Sequence, residues 1–114
     1  MKAFISAKNI SVADNVIIAS STFSRVMGLM FKTEMNSAEG LLIEPCNSIH
    51  TCFMKIPIDV LFINKKNEIV YIIKNMKPWR FSSIYLKSKK VLELNAGTIG
   101  DNVCVGDKLE FVDV

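Results

Sequence analysis

His50 is the only histidine of the chain and stands between Cys46 and Cys52, with a third cysteine, Cys104, far downstream. Three thiols and an imidazole are donor types that suit tetrahedral zinc. The spacing Cys-x3-His-x-Cys matches no zinc-finger or ribbon pattern, and cysteines serve well as small buried hydrophobes. The sequence therefore assigns no metal and no cofactor. A cysteine nucleophile with His50 as its base would need hydrogen-bond contact between the two groups. On an extended segment, residues two apart are separated by about 7 Å, which is poor geometry for proton transfer between His50 and Cys52.

Asp59 is the more informative residue, because it sits in the apolar run Ile58-Asp59-Val60-Leu61-Phe62-Ile63. A carboxylate taken out of water without partners costs several kcal/mol, so Asp59 must be hydrogen-bonded or paired. Arg80, next to Trp79 and after Pro78, is the expected partner, and Glu93 is a competing acid for it. The structural reading is a buried ion pair or a backbone cap that ties a loop to the sheet. The functional reading is a polar ligand-binding pocket of His50, Thr51, Asp59, Trp79, Arg80 and Glu93. An aromatic face beside a carboxylate and a guanidinium suits a sugar or another small polar ligand.

The elements that must position these residues follow from hydrophobic pattern and turn chemistry. Lys2 to Lys8 and Asn15 to Ala19 read as strands around a turn at Asp14-Asn15. Phe23, Val26, Met27, Met30 and Phe31 recur at helical spacing, behind candidate N-caps at Ser20, Ser21 and Thr22, and predict one helix near residues 22–31. Leu41 to Ile43 is a short buried strand. If Ile49 to Met54 is extended, His50, Cys52 and Met54 share a face. Ile58 to Ile63 and Glu68 to Lys74 form a hairpin around Asn64-Lys65-Lys66-Asn67. Because both faces of Ile58 to Ile63 are apolar, that strand lies deep in its sheet. Val91 to Leu94 and Lys108 to Val112 complete about seven or eight strands. The expected class is mainly β, a distorted sandwich or barrel with one helix, forming a single domain over residues 1–114.

Composition narrows the function classes. Half of the residues are hydrophobic and 22% are charged, which excludes a disordered chain. No apolar run reaches the ~20 residues of a membrane-spanning helix, and no export signal opens the chain, so no membrane partner and a cytoplasmic location are the expectations. Between Glu68 and Glu93 there is no acidic residue, while Lys74, Lys77, Arg80, Lys87, Lys89 and Lys90 are interleaved with Trp79, Phe81 and Tyr85. Such a segment reads first as a solvated lysine-rich surface. Nucleic-acid contact through residues 74–90 is the alternative it leaves open.

The ordered series Gly28-Leu29-Met30-Phe31, Glu39-Gly40, Ile49-His50-Thr51, Phe53-Met54, Pro57-Ile58-Asp59, Pro78-Trp79-Arg80, Val91-Leu92-Glu93-Leu94, Ala96-Gly97 and Gly106-Asp107 resembles the DUF192 family. The resemblance covers nearly the whole chain. It implies a small β-rich fold with a helix near its start, and no reaction, cofactor or catalytic residue, because the family is uncharacterised. Cys52 stands where the family usually has an aromatic residue, and Asn95 where a proline commonly precedes Ala-Gly. The functional expectation is a non-catalytic binding module for a small polar ligand, such as a carbohydrate, or for a protein partner. A hydrolase-type enzyme using His50 with an acid or thiol is the alternative.

Overall fold

The computed structural model describes residues 1–19 and 39–113. Eight strands form two sheets: β1 (Lys2–Ile5), β2 (Ile10–Ala13), β3 (Asn15–Ala19), β4 (Glu39–Ile43), β5 (Ile58–Ile63), β6 (Ile69–Met76), β7 (Lys90–Asn95) and β8 (Glu110–Val112). The smaller sheet has the order β2-β1-β8 and the larger β3-β4-β7-β5-β6. All neighbours are antiparallel except β3 and β4. The mainly β class is as expected, in the form of an open two-sheet arrangement and not a closed barrel. The expected helix near residues 22–31 lies outside the described residues.

β5 is buried at all six positions, as its two-sided apolar pattern requires. Flanked by β6 and β7, it divides the core in two. On one face, Leu61, Ile63, Leu92 and Leu94 pack against Ala3, Ile5 and Val12 of the smaller sheet. On the other, Ile58, Val60, Phe62 and Val91 pack against Met54 and the partly buried Cys46, Ile49, Ile56 and Tyr85 of the loops. The β5–β6 hairpin forms around Asn64–Asn67, where the Asn64 carboxamide oxygen accepts the backbone N–H groups of Lys66 and Glu68, each at 2.9 Å.

Three local expectations are corrected. The first strand ends at Ile5, a 3-10 turn covers Ser6–Lys8, and Asn9 in left-handed conformation (φ 53°) leads into β2, which the sequence reading passed over. Asp14-Asn15 is therefore a crossing from the smaller sheet to the larger, not a hairpin turn. Ile49 to Met54 is not a strand: it makes one isolated bridge, His50 to Phe81, and Phe53 turns left-handed at φ 67°. No helix among the described residues is long and apolar enough to cross a membrane.

Candidate functional site

Two loops outside the sheets run antiparallel to each other and are joined like an irregular ribbon. The Cys46 N–H donates to the Lys89 carbonyl (3.0 Å), Tyr85 N–H to Asn47 (2.8 Å), Ser82 N–H to Ile49 (2.9 Å) and Thr51 N–H to Arg80 (2.9 Å). Thr51 is fully buried at the centre of the join. Its hydroxyl donates to the Lys77 carbonyl at 2.6 Å and accepts the Arg80 N–H at 2.9 Å, while its own carbonyl accepts the Trp79 N–H at 3.0 Å. Thr51 is thus the tether of the site, with no polar atom left over for a ligand. Tyr85 anchors the ribbon from below, its ring 4.5 Å from Phe62 and 4.3 Å from Tyr71.

The end of the ribbon carries an aromatic pair. Phe53 and Trp79 lie with ring centroids 4.7 Å apart, and each is 56% exposed. Both have positive φ, 67° and 64°. Left-handed backbone is an outlier for bulky residues and costs on the order of 1–3 kcal/mol at each position. Beside them the exposed His50 leans on Phe81, with centroids 6.0 Å apart, and its Nδ1 accepts the Cys52 N–H at 3.3 Å. Arg80 is exposed, and its guanidinium donates to the Trp79 carbonyl at 3.4 Å.

The acidic members of the expected pocket are elsewhere. Asp59 is 1% exposed, and its carboxylate accepts three backbone N–H groups: Asn75 at 2.8 Å, and Gly97 and Ile99 at 3.0 Å each. The expected ion pair with Arg80 does not form; the clasp of β6 and the 97–99 loop is the structural reading of this residue. Glu93 is buried in β7 between Leu41 and Val60 of the neighbouring strands. Burial pushes its carboxyl up to about 7.

Of the six expected site residues, the ribbon brings His50, Thr51, Trp79 and Arg80 together and leaves out Asp59 and Glu93. No hydrogen bond joins His50 to either acid or to a thiol, so the triad-like arrangement of the enzyme alternative is not assembled. Among the described residues no three His, Cys, Asp or Glu side chains gather as a metal-binding group. An open cleft of about 340 Å³ lies at the other end of the ribbon, lined by Pro45, Cys46, Asn47, Ser48, Ser88 and Lys89. The sequence reading missed Phe53 and Phe81 as site residues. Residue type does not separate an outward phenylalanine from a core one, and the αL turn at Phe53 has no signal such as glycine.

Comparison with known proteins identifies a family and related folds. The DUF192 family, described as an uncharacterised ACR, matches residues 4–111. A UPF0127 protein of Thermococcus sibiricus is 33% identical over 101 residues, covering 84% of this chain and 65% of that protein. A UPF0127 protein of Pyrococcus furiosus is 33% identical over 102 residues, covering 84% of this chain and 85% of that one. The chain therefore spans just under two thirds of the Thermococcus protein. A protein of unknown function from Novosphingobium aromaticivorans shares the fold with a TM-score of 0.73 at 24% identity, over 84% of this chain and 74% of its own. A crystal structure from Sinorhizobium meliloti, described as a "putative transcription regulator", superposes with a TM-score of 0.78 at 29% identity, over 96% and 92%.

Proposed function

Because the chain belongs to the DUF192 family, whose members are uncharacterised and lend it no reaction, we propose a function from the site itself: a non-catalytic binding module that recognises its partner with the ribbon. One observation carries this reading. Phe53 and Trp79 touch each other, both stay more than half exposed, and both hold a left-handed backbone. Strain at a buried residue is offset by its packing, whereas an exposed ring recovers little. The strain is retained to present the two rings to a partner. The sequence left open a small polar ligand in a pocket or a protein partner; the site favours an extended contact surface over the pocket. Asp59 and Glu93, which would have given the pocket its polar walls, face into the fold.

The double variant Phe53→Gly/Trp79→Gly tests the reading without a ligand. Relief of strain and loss of the ring contact nearly cancel, so chemical denaturation followed by circular dichroism should find stability within about 1 kcal/mol of the parent. A loss beyond about 2 kcal/mol would make the rings structural and sink the proposal.

A further inference from the structure

Five of the ten exposed large apolar side chains among the described residues lie on the ribbon: Leu86 at 80%, Phe81 at 77%, Ile84 at 65%, and Trp79 and Phe53 at 56%. Contiguous exposed apolar surface marks an interaction site, whereas scattered residues do not. All five belong to the two loops that the ribbon joins, in which Arg80 pairs with Thr51, Ser82 with Ile49 and Tyr85 with Asn47, and Phe53 and Trp79 are in ring contact.

The charge around them has one sign. Lys55, Lys77, Arg80, Lys87 and Lys89 are all exposed, and no acidic residue occurs between Glu44 and Asp59 or between Glu68 and Glu93. Subtracting these five from the net charge of +3 leaves −2 for the rest of the chain. The two loops therefore carry a positive excess alongside their exposed apolar side chains, which favours an anionic surface.

We infer that the ribbon is a peripheral docking surface for an anionic lipid bilayer, with Phe81, Ile84 and Leu86 entering the interface beside Phe53 and Trp79 while the five cations lie on the headgroups. The inference rests on the binding-module reading and names the partner of the same site. A bilayer surface takes aromatic and aliphatic side chains together and rewards flanking lysines. Single-stranded nucleic acid would use the cations, but it stacks on rings and gains little from Leu86 and Ile84. The rings are also already leaning on each other, Phe53 on Trp79 and His50 on Phe81, and are not splayed to receive bases. The hydrogen-bonded register and the Tyr85 anchor fix the surface before binding, so little ordering remains to oppose docking. Attachment of this kind needs no spanning helix.

Trp79 is the only tryptophan and reports directly on its surroundings. The full chain should be titrated with vesicles of phosphatidylcholine containing equal phosphatidylglycerol. A blue shift of Trp79 emission and quenching by brominated acyl chains are expected. Partition should be at least tenfold weaker for pure phosphatidylcholine and should fall with added salt. The variant Ile84→Ser/Leu86→Ser, which alters only exposed side chains, should lose at least tenfold in partition with its thermal transition unchanged. Absence of the blue shift at saturating anionic lipid overturns the inference, as does unchanged partition in the double variant. A shift with a single-stranded oligonucleotide or a soluble protein, and none with vesicles, also overturns it while leaving the binding-module reading to its own stability test.

Discussion

Asp59 and Glu93 lie on adjacent strands of one sheet and send their carboxyl groups to opposite faces. In the β5–β7 register Asp59 pairs with Leu94, and Val60 pairs with Glu93. Side chains alternate along a strand and paired residues share a face, so Glu93 accompanies Val60 and Asp59 does not. The two acids therefore have different environments and separate consequences. Asp59 meets a ring of backbone donors. Glu93 meets Leu41 and Val60.

The Asp59 clasp should be among the strongest single contributions to stability. Asp59→Ala would strand the N–H groups of Asn75, Gly97 and Ile99. Of these donors only that of Ile99 is fully buried, so a loss of about 1–3 kcal/mol is expected, the cost of a buried donor left without a partner. Asp59→Asn keeps one acceptor oxygen and turns an amide toward donors, so it should recover only part. Urea denaturation measures both; a loss under 1 kcal/mol for the alanine variant would refute the clasp.

Glu93 sets a pH dependence of opposite sign to that of the usual paired carboxylate. Its folded pKa, pushed up to about 7 by burial, lies above the ordinary value of 4.5. Between those values the folded protein holds the proton that the unfolded chain has released, so stability falls as pH rises. The penalty is absent below about pH 4.5 and complete above about pH 7, with a size on the order of 3 kcal/mol. Glu93→Gln should flatten this slope and be more stable than the parent at pH 8. Denaturation midpoints at pH 5 and pH 8 that move equally in both proteins would contradict it.

What could be read from the sequence was what local pattern determines. The six apolar positions of β5 and the Asn64 turn declare themselves, because burial on both faces and side-chain capping leave marks in residue type. The need of Asp59 for partners was legible for the same reason. Their identity was not, since Gly97 and Ile99 reach it from nearly 40 positions away and donate backbone groups that any residue has. The opposed faces of Asp59 and Glu93 depend on strand register, which composition does not carry. Ile49 to Met54, taken conditionally as extended, is held as loop by the Thr51 hydroxyl and the turn at Phe53, which residue type does not announce.

Gly40 marks a close approach that leaves little room for a side chain. A Cβ there would stand 3.0 Å from Leu94 Cδ2 and 3.1 Å from Leu92 Cδ1, both on the face that meets the smaller sheet. The ends of leucine side chains can yield, so Gly40→Ala should cost about 1 kcal/mol, with overpacking partly offset by the stiffer unfolded chain. Gly40→Val should cost more, about 3 kcal/mol. Coupling distinguishes the cause: trimming Leu94 to Val should reduce the penalty of Gly40→Ala in a double-mutant cycle. Strict additivity would mean that the contact is not the source.

Thr51 decides whether the ribbon stays closed. Thr51→Val preserves shape and burial while removing both the donor to the Lys77 carbonyl and the acceptor of the Arg80 N–H. Two groups then lose partners in a buried setting, which should lower stability by about 2 kcal/mol. The loss should also be local. Hydrogen exchange at the Arg80 amide should accelerate by at least tenfold relative to the β5 amides, because the loop can open without the sheets. Thr51→Ser, which keeps the hydroxyl, should restore most of the protection. If Thr51→Val slows or leaves unchanged the exchange at Arg80, the hydroxyl is not what joins the two loops, and the Thr51 and Trp79 backbone bonds must hold them alone.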